Sequence, residues 1–500
     1  MESLIIQVRG DSMLPRLRPR DEVIISPQNT YQLGDVVVFQ YHEEGLLIHR
    51  VIQVFNRRYI CKGDNSYRLE AVNIREILGK VVEVRRESVC FPESRIKIEP
   101  LDCFIRDSLH ISTLYKKLRN RMAMEESSEY KQYYKTYLFD EEIIRAHSIK
   151  LLRYIYKGSP SVNTPYLTEI FQIFNHHRIS ELLSTPIVKV DTKSRLALKQ
   201  KRSLNKDAYR LRFKVLQPVL EAIDFPYAVI KGLPLAQMAY LDESFRASSD
   251  VDLLISPKNI NKLDRILTEN GYIQGHVNDG TIQPYTRQQR IFYLSYSHQT
   301  APYTKQIAMP FCPFIQVDLN FRLLWGENSC DDQYITEDFL ANTIEKEVYG
   351  ITYYTLDIER TLIQLCLHTY KEQNSLFLLT THQGLNLRSF CDIFGLLEKN
   401  SVNSTLVTKL SKKYGFGPFI YYCLYYTAVV FDQPQILKPY EELRPDNEQL
   451  LNRFGLTNSE YKQWPLPFFD RLFCDSLWTY LQPMLTDRDR KKIELNRRYL

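Results

Sequence analysis

A chain of 500 residues exceeds what one hydrophobic core usually holds, so about three domains are expected. Apolar residues at 44% and charged residues at 25% exclude a disordered chain. The 65 Lys/Arg against 59 Asp/Glu give a net charge of +6 with no basic tract beyond the C-terminal "RDRKKIELNRRYL", which reads as a solvated helix end, so no nucleic-acid partner is expected.

The N-terminal "MESLIIQVRGD" has no basic n-region and only a short apolar stretch, which argues against a signal peptide. Nine cysteines, an odd number without a C-x-x-C pair, read as reduced core residues of a cytoplasmic protein. Residues 1–92 alternate short β-branched runs with turns ("DEVIIS", "DVVVFQY", "LLIHRVIQV", "RRYICKG", "ILGKVVEV") and predict a small, mostly antiparallel β-domain. Residues 93–205 turn to a helical period, as in "EEIIRAHSIKLLRYIY" and "LTEIFQIFNHHRISELL", and predict a helical connector.

Residues 206–350 mix types: a helix through "AYRLRFKVLQPVLEAI", a strand "YAVIKG", a helix opening at Pro234, a strand "DVDLLIS", a helix "NINKLDRILTENG", and strands to "FIQVDLNFRLLW". This is an α+β core, and residues 351–500 are helical again. Residues 414–431 are uncharged, but two glycines, a proline and five tyrosines make this segment a buried helix and not a membrane span. The expected fold class is therefore multidomain α+β.

Two stretches carry chemistry. In "QVRGDSMLPRLRPRDEVII", residues 7–25, Ser12 precedes Met13, which can pack beside it, and Pro15, which fixes φ as the chain leaves. A serine hydroxyl is a weak nucleophile unless a base lies within hydrogen-bond reach. His49, on a predicted strand beside Ile48, Val51 and Ile52, is either a packed core ring or that base.

Four stretches in order, "GDSMLPRLRPRDEVII", "LGDVVVF", "LLIHRVI" and "YICKGDNSYRLEAVNIREILGKV", span nearly all of residues 7–84 and resemble the S24/S26 serine peptidases, which include signal peptidase I and the self-cleaving repressors. The resemblance implies Ser12 as nucleophile of a peptide-cleaving site. A histidine at the base position implies the archaeal and endoplasmic-reticulum signal-peptidase branch, with His49 as base. It further implies an acid near the "KGDN" box that orients the imidazole, and both Asp64 and Glu70 fit that place. Backbone N–H groups near Ser12 are the expected oxyanion donors. Arg20 stands where the family usually has glycine, and only eleven residues precede Ser12, so the peptide substrate is expected in the cytoplasm.

The second stretch is "RASSDVDLLIS", residues 246–256. Strand alternation puts Asp250 and Asp252 on one face and Val251 in the core. Two close carboxylates repel by about 1 kcal/mol in water and several times more when partly buried, so the pair either faces solvent or holds a divalent cation. With its flanks, "YAVIKGLPLAQMAYLDESFRASSDVDLLI" resembles the uncharacterised nucleotidyltransferases of the polymerase-β-like superfamily, as do "IFNHHRISELL" before it and "FIQVDLNFRLLW", "LDIERTLIQLCLHTYKE" and "LRSFCDIFGLL" after it, over roughly residues 165–395.

That resemblance implies that Asp318 supplies a third carboxylate, and that Asp250, Asp252 and Asp318 bind Mg²⁺ (or Mn²⁺). It also implies a nucleoside triphosphate whose phosphates meet Gly232, the helix at Pro234, Lys231 and Arg246. Lys231 and Arg246 also read as ion-pair partners. Asn320 replaces the family's usual histidine and Leu233 its usual Ser/Thr. His176, His177 and His368 have no metal-ligand spacing and read as packing residues.

Together these features predict a bifunctional chain, a Ser/His peptidase joined to a Mg²⁺-dependent nucleotidyltransferase that processes and modifies a small peptide or another cytosolic acceptor. The alternatives are a regulatory or self-processing peptidase-like protein, or a scaffold with one or both sites inactive.

Overall fold

The computed structural model describes residues 4–9, 12–13, 17–41, 45–55, 58–64, 69–86, 89–92, 142–158, 167–190, 192–278, 280–325, 332–380, 384–474 and 477–499. Pro15, the whole stretch 93–141 and two cysteines, Cys103 and Cys330, lie outside them. The chain divides into two compact units, Met1–Arg145 with Tyr166–Gln172, and Ala146–Pro165 with Ile173–Leu500.

The first unit is built on an eight-stranded sheet: β1 (Leu4–Gln7), β2 (Glu22–Ser26), β3 (Val36–Tyr41), β4 (Gly45–Phe55), β5 (Arg58–Lys62), β6 (Leu69–Asn73), β7 (Ile77–Arg86) and β8 (Val89–Pro92). The order is β1-β2-β7-β3-β4-β5-β6, with β8 also on β7, and the pairings are antiparallel. The central strand β3 is apolar without alternation because both its faces are buried. Val36 and Val38 join a core with Met13, Val23 and Val81, while Val37, Phe39 and Tyr41 join another with Val51, Cys61 and Val72.

Register places the site. His49 on β4 lies opposite Val37, Val51 opposite Cys61 on β5, and Cys61 opposite Glu70 on β6. Opposed residues, and residues two apart on one strand, share a face, so His49, Val51, Cys61 and Glu70 point to the same side.

The second unit opens with helical residues and the long helix α1 (Thr192–Ala222), which begins well before the predicted stretch and runs through Pro218. Next come β9 (Tyr227–Ile230), α2 (Gly232–Ala239), β10 (Asp250–Ile255), α3 (Ile260–Glu269), β11 (Ile273–Asn278), β12 (Thr281–Pro284), β13 (Tyr303–Gln306) and β14 (Phe314–Asn320). The sheet order is β12-β11-β13-β14-β10-β9, with β10 and β14 parallel. Helix α2 starts at Gly232, two residues before the predicted opening at Pro234, which sits in the first turn, where a missing N–H costs nothing.

The apolar stripe of α1 (Tyr209, Phe213, Leu216, Val219, Leu220) packs in one core with Val251, Leu253 and Ile255 of β10 and Val317 and Leu319 of β14. Asp250, Asp252 and Asp318 therefore fall on the opposite face of those strands. Downstream are helices α4 (Ile358–Asn374), α5 (Leu387–Lys399) and α6 (Gly417–Phe431). Helix α6 is the uncharged segment and is largely buried, and among the described residues no helix is long and apolar enough to cross a membrane.

Candidate active sites

In the first unit, Ser12 Oγ lies 3.1 Å from His49 Nε2, and His49 Nδ1 lies 2.6 Å from Glu70 Oε2. His49 and Glu70 are buried, and the Phe39 ring stands edge-on to the imidazole at 6.2 Å. A ring that donates its Nδ1–H to a carboxylate keeps Nε2 as an acceptor, the tautomer that can take a proton from a serine hydroxyl.

Of the two candidate acids, Glu70 is the one bonded to His49. Asp64 is gripped by buried Arg50, with Nε to Oδ1 at 2.8 Å and Nη2 to Oδ2 at 2.6 Å, while Arg50 Nη1 donates to the Gly34 carbonyl at 2.9 Å. Asp64 thus has a framework position, and its orienting reading is corrected in favour of Glu70.

Gly63 follows β5, and continuing the Arg50–Lys62 register by one step sets it opposite His49. A Cβ there would lie 2.6 Å from the Ser12 carbonyl oxygen and 3.0 Å from both His49 Nε2 and Ser12 Cβ. The absent side chain is what lets serine and imidazole meet. Arg20, which stands where the resembled family has glycine, adopts φ +80°, a conformation that suits glycine. The neighbouring Asp21 is held by Arg86 (Nε 2.9 Å, Nη2 2.7 Å) and by the Arg18 N–H. Cys61, beside Glu70, is no rival nucleophile: burial and then the Glu70 carboxylate push its thiol well above the usual range.

In the second unit, a cavity of about 570 Å³ receives Lys231 and Gly232 from the start of α2, Asp250 and Asp252 from β10, and Asp318 from β14. Asp252 and Asp318 are register neighbours on the parallel pair. Lys231 Nζ donates to Asp252 Oδ1 at 2.8 Å, as does Asn320 Nδ2 at 3.1 Å. Gln299 and Gln316 donate to the two oxygens of Asp318 at 3.2 and 2.9 Å, and Ser248 Oγ donates to Asp250 Oδ1 at 2.9 Å.

Burial, then the Asp252 and Asp250 carboxylates, push Asp318 up to about 7. Burial alone would raise Asp252 too, but the Lys231 ammonium outweighs it and holds Asp252 below the ordinary range. Among the described residues, no three His, Cys, Asp or Glu side chains are grouped as ligands of one metal ion. The three carboxylates share the cavity, with Lys231 on one of them and two glutamines on another. Their all-oxygen chemistry suits a hard divalent cation, and the upward push on Asp318 is the like-charge cost that such an ion removes.

Arg246 takes the ion-pair reading: its Nε and Nη2 grip Asp392 at 2.9 and 3.0 Å, and Tyr240 donates to the same carboxylate. His177 is a packing residue, buried with its ring edge against Phe473. His368 is not, because it lines the cavity with Nε2 3.2 Å from Glu372 Oε1. Burial and Lys231 push it down to about 4, so it is neutral near pH 7. The sequence reading missed Arg178, Arg212 and Arg388, which line the cavity as well. For Arg212 a signal was present: a charge at Tyr209+3 and Leu216−4, inside the apolar stripe of α1.

Residues 167–432, just over half of the chain, match the family described as uncharacterised nucleotidyltransferase. The chain belongs to this nucleotidyltransferase family. Residues 2–82 of this nucleotidyltransferase-family chain match the Peptidase S24-like family, so both domains are present. No curated protein matches. Among solved structures, the crystal structure of an antigenic nucleotidyltransferase-like protein from Paracoccidioides brasiliensis matches at 15% identity over 43% of this chain and 93% of that one, with a TM-score of 0.25.

Proposed function

We propose that the chain is a bifunctional enzyme, a Ser/His/Glu peptidase joined to a Mg²⁺-dependent nucleotidyltransferase, that cleaves and modifies a peptide or another cytosolic acceptor. The observation that carries the peptidase half is the relay from Ser12 Oγ through His49 to Glu70, at 3.1 and 2.6 Å. His49 Nε2 takes the hydroxyl proton as Ser12 Oγ attacks the scissile carbonyl, and Glu70 stabilises the imidazolium. His49 then hands that proton to the leaving amine, and a water activated by the same nitrogen releases the acyl group.

For the transferase half, Asp250, Asp252 and Asp318 would hold Mg²⁺ (or Mn²⁺), which when bound neutralises charge at the α-phosphorus. Lys231 and the N–H groups at the start of α2 meet the phosphates of the nucleoside triphosphate. Arg246, committed to Asp392, braces the wall instead of binding phosphate.

Incubating the full chain with a peptide library, labelled nucleoside triphosphates and Mg²⁺, followed by mass spectrometry, tests both halves. Cleavage lost in Ser12→Ala and a nucleotide adduct lost in Asp252→Asn are the expected results. A wild type that neither cleaves nor labels any peptide overturns the proposal.

A further inference from the structure

The cavity of the second unit contains cations of two kinds. Lys231 holds Asp252 at 2.8 Å, Arg246 holds Asp392 at 2.9 Å, and Lys201 holds Glu181 at 3.0 Å. Arg178, Arg212 and Arg388 line the same cavity, and no carboxylate among the described residues lies within ion-pair distance of them. Among the described residues, Arg388 donates to the Ala247 carbonyl, at 3.3 Å, and to no other group. Arg212 is 8% exposed, and its Nε is buried with no hydrogen-bond partner among the described residues.

Burying a charge without a partner costs several kcal/mol, which is why a guanidinium at this depth is normally forked onto a carboxylate. Here the fork opens on a cavity. Arg178 is itself exposed and Arg388 half-buried; Arg178 is held below its usual range by desolvation and then by Arg388, against the opposing pull of Glu372 and Asp250, which line the same cavity, so Arg212 is the buried member of the three. A fixed plane of N–H donors matches the oxygens of a phosphate, and three such planes call for more oxygens than one carboxylate carries.

We infer that Arg212, with Arg178 and Arg388, forms a phosphate subsite of this cavity, distinct in its residues from the Asp250–Asp252–Asp318 trio. Its use rests on reading the cavity as a nucleotidyl-transfer site, whereas its existence does not. The phosphate comes either from the tail of the nucleoside triphosphate or from a phosphorylated acceptor.

The test is calorimetry on the full chain in EDTA, where no metal contributes, with inorganic pyrophosphate, ATP and adenosine as probes. Wild type is expected to bind pyrophosphate, and Arg212→Met to bind it at least tenfold more weakly. The same substitution leaves the melting temperature without ligand unchanged or higher, because it removes an unpaired buried charge. Parallel loss of ATP affinity assigns the subsite to the nucleotide tail, and retained ATP affinity assigns it to the acceptor's phosphate. If Arg212→Met fails to fold, the double variant Arg178→Met/Arg388→Met must show the same loss. Equal pyrophosphate binding by wild type and variant, or none by wild type at millimolar concentration, overturns the subsite. Arg212-dependent pyrophosphate binding in a chain that never transfers nucleotide leaves the subsite standing and removes only the transfer reading.

Discussion

Arg50 clamps Asp64 through two parallel N–H···O bonds of 2.8 and 2.6 Å, while Glu70 takes the buried Nδ1 of His49 at 2.6 Å. Two acids six residues apart thus have separate tasks, and substitution tells them apart. Glu70→Gln is expected to lower peptide cleavage by up to about 10⁴ with the fold intact, because an amide does not stabilise the imidazolium. Asp64→Asn leaves the relay assembled but breaks a buried pair, at about 3 kcal/mol because Asp64 is part-exposed. Cleavage rates and calorimetric melting of both variants check this; equal loss of activity in both would void the separation.

Gly63→Ala is expected to reduce cleavage by about 10²-fold or more, since an ångström of misplacement between reacting groups costs that much. The added methyl would meet the Ser12 carbonyl oxygen at 2.6 Å, a backbone atom that cannot rotate away. Steady-state kinetics with the same peptide measures the effect, and a fully active Gly63→Ala would mean that serine and imidazole need not meet as they do here.

Arg20→Gly should stabilise the first unit. A non-glycine residue at φ +80° is strained by roughly 1–2 kcal/mol, and the chain entropy of glycine offsets about 0.5–1 of it, leaving a gain of up to about 1.5 kcal/mol. Differential scanning calorimetry reads the shift, and a lowered melting temperature would show that the arginine side chain matters more than its backbone.

The peptidase-like residues are suggested in sequence by the short stretches "GDSMLP", "LLIHRVI" and "KGD"; pairing of β4 with β5 brings the last two together, whereas Ser12 lies outside the strands and its approach to His49 is a tertiary contact. The choice between Asp64 and Glu70 is not, since it depends on which side of the sheet each carboxylate meets and on Arg50 claiming one of them. In the second unit "DVD" is likewise local. The role of Arg246 depends on Asp392, 146 residues away, and that of His368 on helix α4 turning toward Lys231. No periodicity encodes such long-range neighbours. Arg212 shows an intermediate case, visible as a misfit in an apolar stripe but interpretable only once the cavity is seen.

Asp252→Asn should abolish Mg²⁺-dependent binding of a non-hydrolysable nucleoside triphosphate, because it removes the charge of a proposed ligand together with the ion-pair partner of Lys231. Peptide cleavage should persist, since Ser12, His49 and Glu70 lie in the other unit. Calorimetry with and without Mg²⁺ gives the comparison. Unchanged Mg²⁺-dependent affinity in the variant would take Asp252 out of the metal site.

The last prediction concerns Lys371 on α4, whose Nζ lies 3.1 Å from His298 Nε2. Burial, then the nearby Lys231, push this lysine down from 10.5 to about 8. Because its value falls on folding, the unfolded chain carries a proton that the folded chain lacks between about pH 8 and 10.5, so Lys371 makes stability rise with pH across that window. Below pH 8 both states are charged and the cost of burying the ammonium is felt in full. Lys371→Met removes this titration, so wild type should gain stability relative to the variant as pH is raised from 7.5 to 10. All three tryptophans, Trp325, Trp464 and Trp478, lie in the second unit, so urea unfolding followed by their fluorescence reports the unit that holds Lys371. A difference between the two proteins that stays flat from pH 7.5 to 10 would mean that Lys371 keeps its proton in the fold, and that His298 and the surrounding carboxylates compensate its burial.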